Sequence, residues 1–165
     1  MKSKNNPDVK EKTGESWLYS NTVKEHFFHP KNIFKNKKEE GKYEKKADGI
    51  GQVGSPACGD VMKMFIKVEN NIISQCKWST FGCASAIAST SILSEMVIGM
   101  PIEKAKKITP QDIVKKLGGL PQRKIHCSVL GDQALRAAIK DYEEKLTSYS
   151  AASTRAREER EGIIA

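Results

Sequence analysis

The clearest periodicity along the chain is the alternation from Val61 to Val68, where Met62, Met64, Ile66 and Val68 alternate with Lys63 and Lys67. Period two predicts a strand with one buried and one mostly wet face. Asn70-Asn71 then offers the positive φ values of a tight hairpin turn, and Ile72 to Thr80 returns with Ile72, Cys76 and Trp78 on one side. Ahead of this hairpin, Ile50 to Ser55 reads as a strand weakly specified by its glycines, following the turn signal Ala47-Asp48-Gly49.

Helical spacing takes over further along. The run from Cys83 to Leu93 is dense in small residues, which suits close packing against neighbours, and Gly99 and Pro101 end it. A short segment covers Ile102 to Lys107. Thr109-Pro110-Gln111-Asp112 opens another helix with a capping threonine and a proline in its first turn, and Gly118-Gly119 closes it. The last stripe, Leu135, Ala138, Ile139, Tyr142 and Leu146, lies on one face of a helix over Val129 to Leu146. Near the start, a short helix after Trp17 is capped by Ser20 or Asn21 and ends at Pro30, with Val23 and Phe27 on one face.

These elements predict an α+β fold, a small three-stranded antiparallel sheet packed by about five helices. Residues 1–16 are expected to be a mobile tail, 17–147 the domain, and 148–165 a C-terminal extension, helical or disordered. With 165 residues the chain is long enough for one real core. No apolar run is long enough to span a bilayer, and the opening residues do not resemble a signal segment. Four dispersed cysteines suit a reducing compartment, and the expected location is cytoplasmic.

The net charge of +8 raises nucleic acid as a partner. However, the lysines of Lys37 to Lys46 alternate with glutamates and carry no stacking motif, so this stretch reads as a solvated loop. Neither nucleic acid nor membrane is expected to bind. His26 and His29, three apart, fit one helix face but have no third ligand nearby, and they read as surface polar residues.

The chemistry concentrates at three places. In Ser55-Pro56-Ala57-Cys58-Gly59-Asp60, Gly59 permits a bend that turns Cys58 and Asp60 to a common centre. In Thr80-Phe81-Gly82-Cys83-Ala84-Ser85 a second cysteine begins a helix. Lys124-Ile125-His126-Cys127-Ser128 adds a third cysteine and an imidazole where another helix starts. Helix N-termini favour thiolate over thiol, and thiolate is the form that binds metal or attacks sulfur. Cys76, inside a strand, reads as packing. Three thiolates with one harder Asp or His ligand would hold iron with one weak corner, unlike the four-cysteine sites of stable clusters.

These separated motifs, together with His26-Phe27-Phe28-His29-Pro30-Lys31-Asn32, resemble the IscU/NifU-type scaffold proteins for iron–sulfur cluster assembly over about Tyr19 to Leu146. The resemblance implies a scaffold, not an enzyme. A [2Fe–2S] cluster is built on it from iron and the persulfide sulfur of an IscS/NifS-like cysteine desulfurase, then passed to acceptor apoproteins such as ferredoxin. Cluster and metal ligands fall on Cys58, Cys83 and Cys127, with Asp60 and His126 as candidates for the fourth place. Cys127 is the expected persulfide acceptor, assisted by Lys124, and a cluster-bound homo-oligomer is a further expectation.

A zinc-bound sulfur acceptor of the SufU type, activating a desulfurase, is the alternative, with zinc in the cluster-free form. SufU proteins usually carry an insertion between the second and third cysteines and lack the histidine of His126-Cys127; this chain has the histidine and no obvious insertion. A thiol enzyme using Cys127 with His126 as base is geometrically poor, because adjacent side chains diverge. Leu120-Pro121-Gln122-Arg123-Lys124 departs from the family's Leu-Pro-Pro-Val-Lys segment, so the Hsp70-type chaperone partnership is not carried over.

Overall fold

The computed structural model describes residues 19–55 and 59–162, without the side chains of Ser55, Arg123, His126, Cys127, 154–156 and 158–162. The tail expected over 1–16, Trp17 of the first expected helix, and Cys58 lie outside the described residues. Three strands, β1 (Gly49–Ser55), β2 (Asp60–Glu69) and β3 (Ile72–Phe81), form an antiparallel sheet in the order β1-β2-β3. Six helices accompany it: α1 (Asn21–Phe28), α2 (Lys37–Glu44), α3 (Ala84–Val97), α4 (Ile102–Ala105), α5 (Pro110–Lys116) and α6 (His126–Gly162). A 3-10 turn, Gln122–Lys124, precedes the last.

Met62, Met64, Ile66, Cys76 and Trp78 all point into the core beneath α3 and α6. Asn70 and Asn71 take φ of 52° and 64°, as their turn requires. The β3 phase differs from expectation near that turn. Lys67 pairs with Gln75 but Val68 pairs with Ile73, so Ser74 is an extra residue in β3. This bulge reverses the alternation: Ile73 is fully buried and Ile72 is 39% exposed.

The glycines that blur β1 have a packing cause. A Cβ on Gly51 would lie 2.1 Å from the Ala134 carbonyl oxygen, and one on Gly49 equally close to that of Ala138. The backbone of α6 therefore rests directly on β1. Asp141 fixes the crossing, accepting from the Ile50 N–H at 2.8 Å. The α6 helix continues to Gly162, and from Glu144 to Ser153 every residue is exposed, so the extension leaves the core as helix.

The second face of the sheet is not wet. Phe65 is fully buried there, with Phe34 and Tyr43 edge-on to it at ring-centroid distances of 5.1 and 6.3 Å. The lid is α2, where a solvated loop is expected. Asn36 caps α2 by accepting from the Glu39 N–H at 2.9 Å. Its glutamates reach down to the sheet: Glu39 pairs with Lys77, Glu44 with Lys63 at 2.9 Å, and buried Glu40 accepts from Ser79 Oγ at 3.0 Å. Burial of one Phe-sized side chain contributes about 1.5–3 kcal/mol, which explains why so polar a helix stays in place.

The helix α1 is capped by Ser20, whose Oγ accepts from the Val23 N–H at 3.1 Å and donates to the Leu117 carbonyl. His26 is not on the surface: it is 6% exposed, with Nδ1 2.7 Å from Ser91 Oγ of α3 and Nε2 3.7 Å from Glu95. Ser91 Oγ also accepts from the Lys31 N–H, tying the loop after α1 to the same point. Burial lowers the His26 pKa below 6.5, opposed by the Glu95 carboxylate and reinforced by Lys31. The folded chain then binds a proton less readily than the unfolded chain. Stability contributed by neutral His26 is full above about pH 6.5 and declines as pH falls through the window below it. Urea unfolding from about pH 7 to about pH 5 is expected to show a smaller loss for His26→Gln than for the native chain.

Candidate functional site

One end of the sheet gathers the chemistry. The register pairs Ser55 with Asp60 across the β1–β2 turn and Val61 with Phe81 across β2–β3. The end of β1, the start of β2 and the end of β3 therefore lie together. Gly59, at φ +70°, turns the chain immediately before Asp60. Past Phe81 the backbone leaves the sheet, and Cys83, extended at φ −76° and ψ 169°, is the N-cap of α3. Its half-buried sulfur sits where the free N–H groups and dipole of that helix favour thiolate.

The course of α6 brings a third segment toward this end. Gly49 meets Ala138 and Tyr142, while Gly51 meets Ala134 and Ala138, so α6 runs backward as β1 runs forward. Continued toward Ser55, this direction leads to the first turn of α6, which His126 and Cys127 open. Their side chains are outside what is described. Ser128 behind them is buried and donates to the Ile125 carbonyl at 2.6 Å, and Lys124 is half-exposed in the 3-10 turn.

Asp60 is the distinctive group. It is only 6% exposed, and its Oδ2 has no hydrogen-bond partner among the described residues. A buried carboxylate oxygen without a donor costs about 1–3 kcal/mol or more. Gly82 provides the room: a Cβ there would stand 3.2 Å from Asp60 Cγ and 3.2 Å from Thr80 Oγ1. In the sequence Gly82 is marked only as a glycine between a strand and a capping cysteine.

The other thiol and imidazoles are used differently. Cys76 is 1% exposed in the core, and burial pushes its thiol up to about 12, so it stays protonated and unsuited to metal. His29 is exposed while His26 turns into α3, so they do not form a pair. Among the described residues no three His, Cys, Asp or Glu side chains form a group able to hold a metal ion. What they do place together is the Asp60 carboxylate and Gly82, the residue before Cys83, so an oxygen donor and a sulfur donor share this end of the sheet. Those two donor types suit iron or zinc.

Comparison with known proteins identifies the family. An iron sulfur cluster assembly protein 1 of Trachipleistophora hominis is 50% identical over 129 residues, 77% of this chain and 88% of that protein. The iron-sulfur cluster assembly scaffold protein IscU 1 of Archaeoglobus fulgidus is 49% identical over 128 residues, 78% of each. A solved NifU-like N-terminal protein from Brucella abortus shares the fold with a TM-score of 0.56 at 18% identity, covering 76% of this chain and 94% of its own. The model of the NifU-like N terminal domain matches residues 18–148, and the chain belongs to that family.

Proposed function

We propose that this protein is a scaffold on which a [2Fe–2S] cluster is assembled and from which it passes to acceptor apoproteins. The observation that carries the reading is the buried Asp60 oxygen beside Gly82, without a hydrogen-bond partner among the described residues, in a chain about half identical to proteins named for iron–sulfur cluster assembly. Cys58, Cys83 and Cys127 supply thiolates and Asp60 the fourth ligand, with His126 able to replace it. The cluster is cargo. Its weakest bond, from a hard carboxylate, is the corner at which an acceptor thiolate attacks. The chemistry needs a reducing compartment, cytoplasmic or, as the name of a Candida glabrata relative states for that protein, mitochondrial.

Sulfur arrives first at Cys127. Its thiolate attacks the outer sulfur of a desulfurase persulfide, forms a new S–S bond and releases the desulfurase cysteine as thiolate. Lys124, three residues before Cys127 in the preceding 3-10 turn, supplies positive charge beside that helix start. Mass spectrometry after incubation with a cysteine desulfurase and cysteine is expected to find one added sulfur atom on Cys127. Sulfur found only on Cys58 or Cys83 would reverse the order.

Anaerobic reconstitution with iron and sulfide, followed by visible absorption and metal analysis, tests the reading. Two iron and two sulfide per cluster support it. A protein that takes up zinc alone is instead a sulfur acceptor of the SufU kind.

A further inference from the structure

The charges between Lys35 and Lys46 are mixed in sequence but sorted in space. Six lysines and three glutamates occupy this stretch. All three glutamates are committed to ion pairs: Glu39 to Lys77, Glu40 to Lys37 and Lys63, Glu44 to Lys63. Lys35, Lys38, Lys42, Lys45 and Lys46 are exposed, and among the described residues none of them has an acid within ion-pair distance. Along the sequence the lysines interleave with glutamates, as in a solvated loop. In the fold those glutamates neutralise the sheet, and the outer face of α2 is left positive.

This face adjoins the site. Lys37 and Glu40 of α2 share a cleft of about 370 Å³ with Lys63, Ser79, Thr80 and Phe81, and Phe81 precedes Gly82 and Cys83. Among the described residues the outward face of α2 carries no ring that could stack nucleobases, because Tyr43 packs inward on Phe65; the exposed Phe81 lines the cleft and is not on α2. Positive charge without a stacking platform fits carboxylates better than nucleic acid.

We propose that the outer face of α2 is a docking surface for an acidic protein that exchanges cargo at the Asp60 end of the sheet. The exchange rests on the scaffold reading; the docking does not, since it needs no cluster. The carboxylates of the partner lie over Lys38, Lys42 and Lys45 and hold it next to the cleft. Such contacts speed association and orient the partner, and salt weakens them.

The test uses the full, cluster-free chain and a fluorescently labelled acidic apo-ferredoxin, with anisotropy read at low and high salt. Two triple variants carry the same change in net charge: Lys38→Glu with Lys42→Glu and Lys45→Glu on α2, and Lys104→Glu with Lys107→Glu and Lys116→Glu around α4 and α5. The α2 variant is expected to weaken binding roughly tenfold or more at low salt and the other less than about threefold, with native binding lost at high salt. If reversal unsettles α2, the corresponding Gln triple preserves the helix and is expected to show a smaller loss in the same direction. Equal weakening by both triples would assign the effect to net charge and overturn the proposal, as would no measurable binding by the native chain. A single-stranded oligonucleotide that depends on the α2 lysines, with ferredoxin indifferent to them, would overturn it in favour of nucleic acid.

Discussion

Cys83→Ser is expected to abolish the stable cluster while leaving the protein folded. The second half of that expectation is what makes the experiment clean. Cys83 is the N-cap of α3, and serine is among the residues most favoured at that position. The variant should therefore unfold no earlier than the native chain, and loss of the visible chromophore reports the lost thiolate alone. Cys58→Ser and Cys127→Ser are expected to lose the chromophore likewise. Cys76→Ser should do the reverse. Its hydroxyl would sit 1% exposed among Ile66, Trp78 and other apolar side chains, at a cost of about 1–3 kcal/mol, yet the cluster should form normally. Anaerobic reconstitution followed by visible spectra and urea unfolding measures both quantities. A folded Cys76→Ser protein without a chromophore would show the ligand assignment to be wrong.

Much of this was legible in the chain. The hairpin could be read because Met62, Met64 and Ile66 recur at every second position with Lys63 and Lys67 between or beside them, and Asn70-Asn71 permits its turn. The Thr109 cap could be read because a capping box is written in adjacent residues. Three features could not. The helix α2 has no apolar stripe; it is held by Tyr43 on Phe65 and by glutamates reaching Lys63 and Lys77, partners 19 to 38 residues away. The bulge at Ser74 leaves no mark in composition, so Ile72 and Ile73 exchange faces unannounced. His26 looks like any surface histidine until Ser91, 65 residues on, is placed beside it. Motif positions at the site were readable because turn and helix-start chemistry is local. The burial of Asp60, at 6% exposure, depends on tertiary packing and was not.

Asp60→Ala is expected to hold its cluster longer than the native chain and to donate it roughly tenfold or more slowly. Removing the carboxylate removes the exchangeable corner and leaves three thiolates, with His126 free to become the fourth ligand. The cluster-free protein should also become more stable, by about 1–3 kcal/mol, since a buried oxygen without a partner among the described residues is deleted. Greater stability with poorer transfer is the signature of a residue kept for function rather than for folding. Asp60→Asn provides the control, because asparagine serves turns as well as aspartate does but is a far poorer ligand. If Asp60→Asn matches the native chain in both cluster lifetime and transfer, Asp60 is a turn residue and the labile-ligand role fails.

The central claim, that this fold builds a cluster in order to release it, is tested most directly by timing. The reconstituted native chain is mixed anaerobically with increasing apo-ferredoxin, and the visible signals of donor and acceptor are followed together. The account predicts that loss from the scaffold accelerates with acceptor concentration and is matched by gain in the ferredoxin. Decay at one rate whether or not acceptor is present would contradict it.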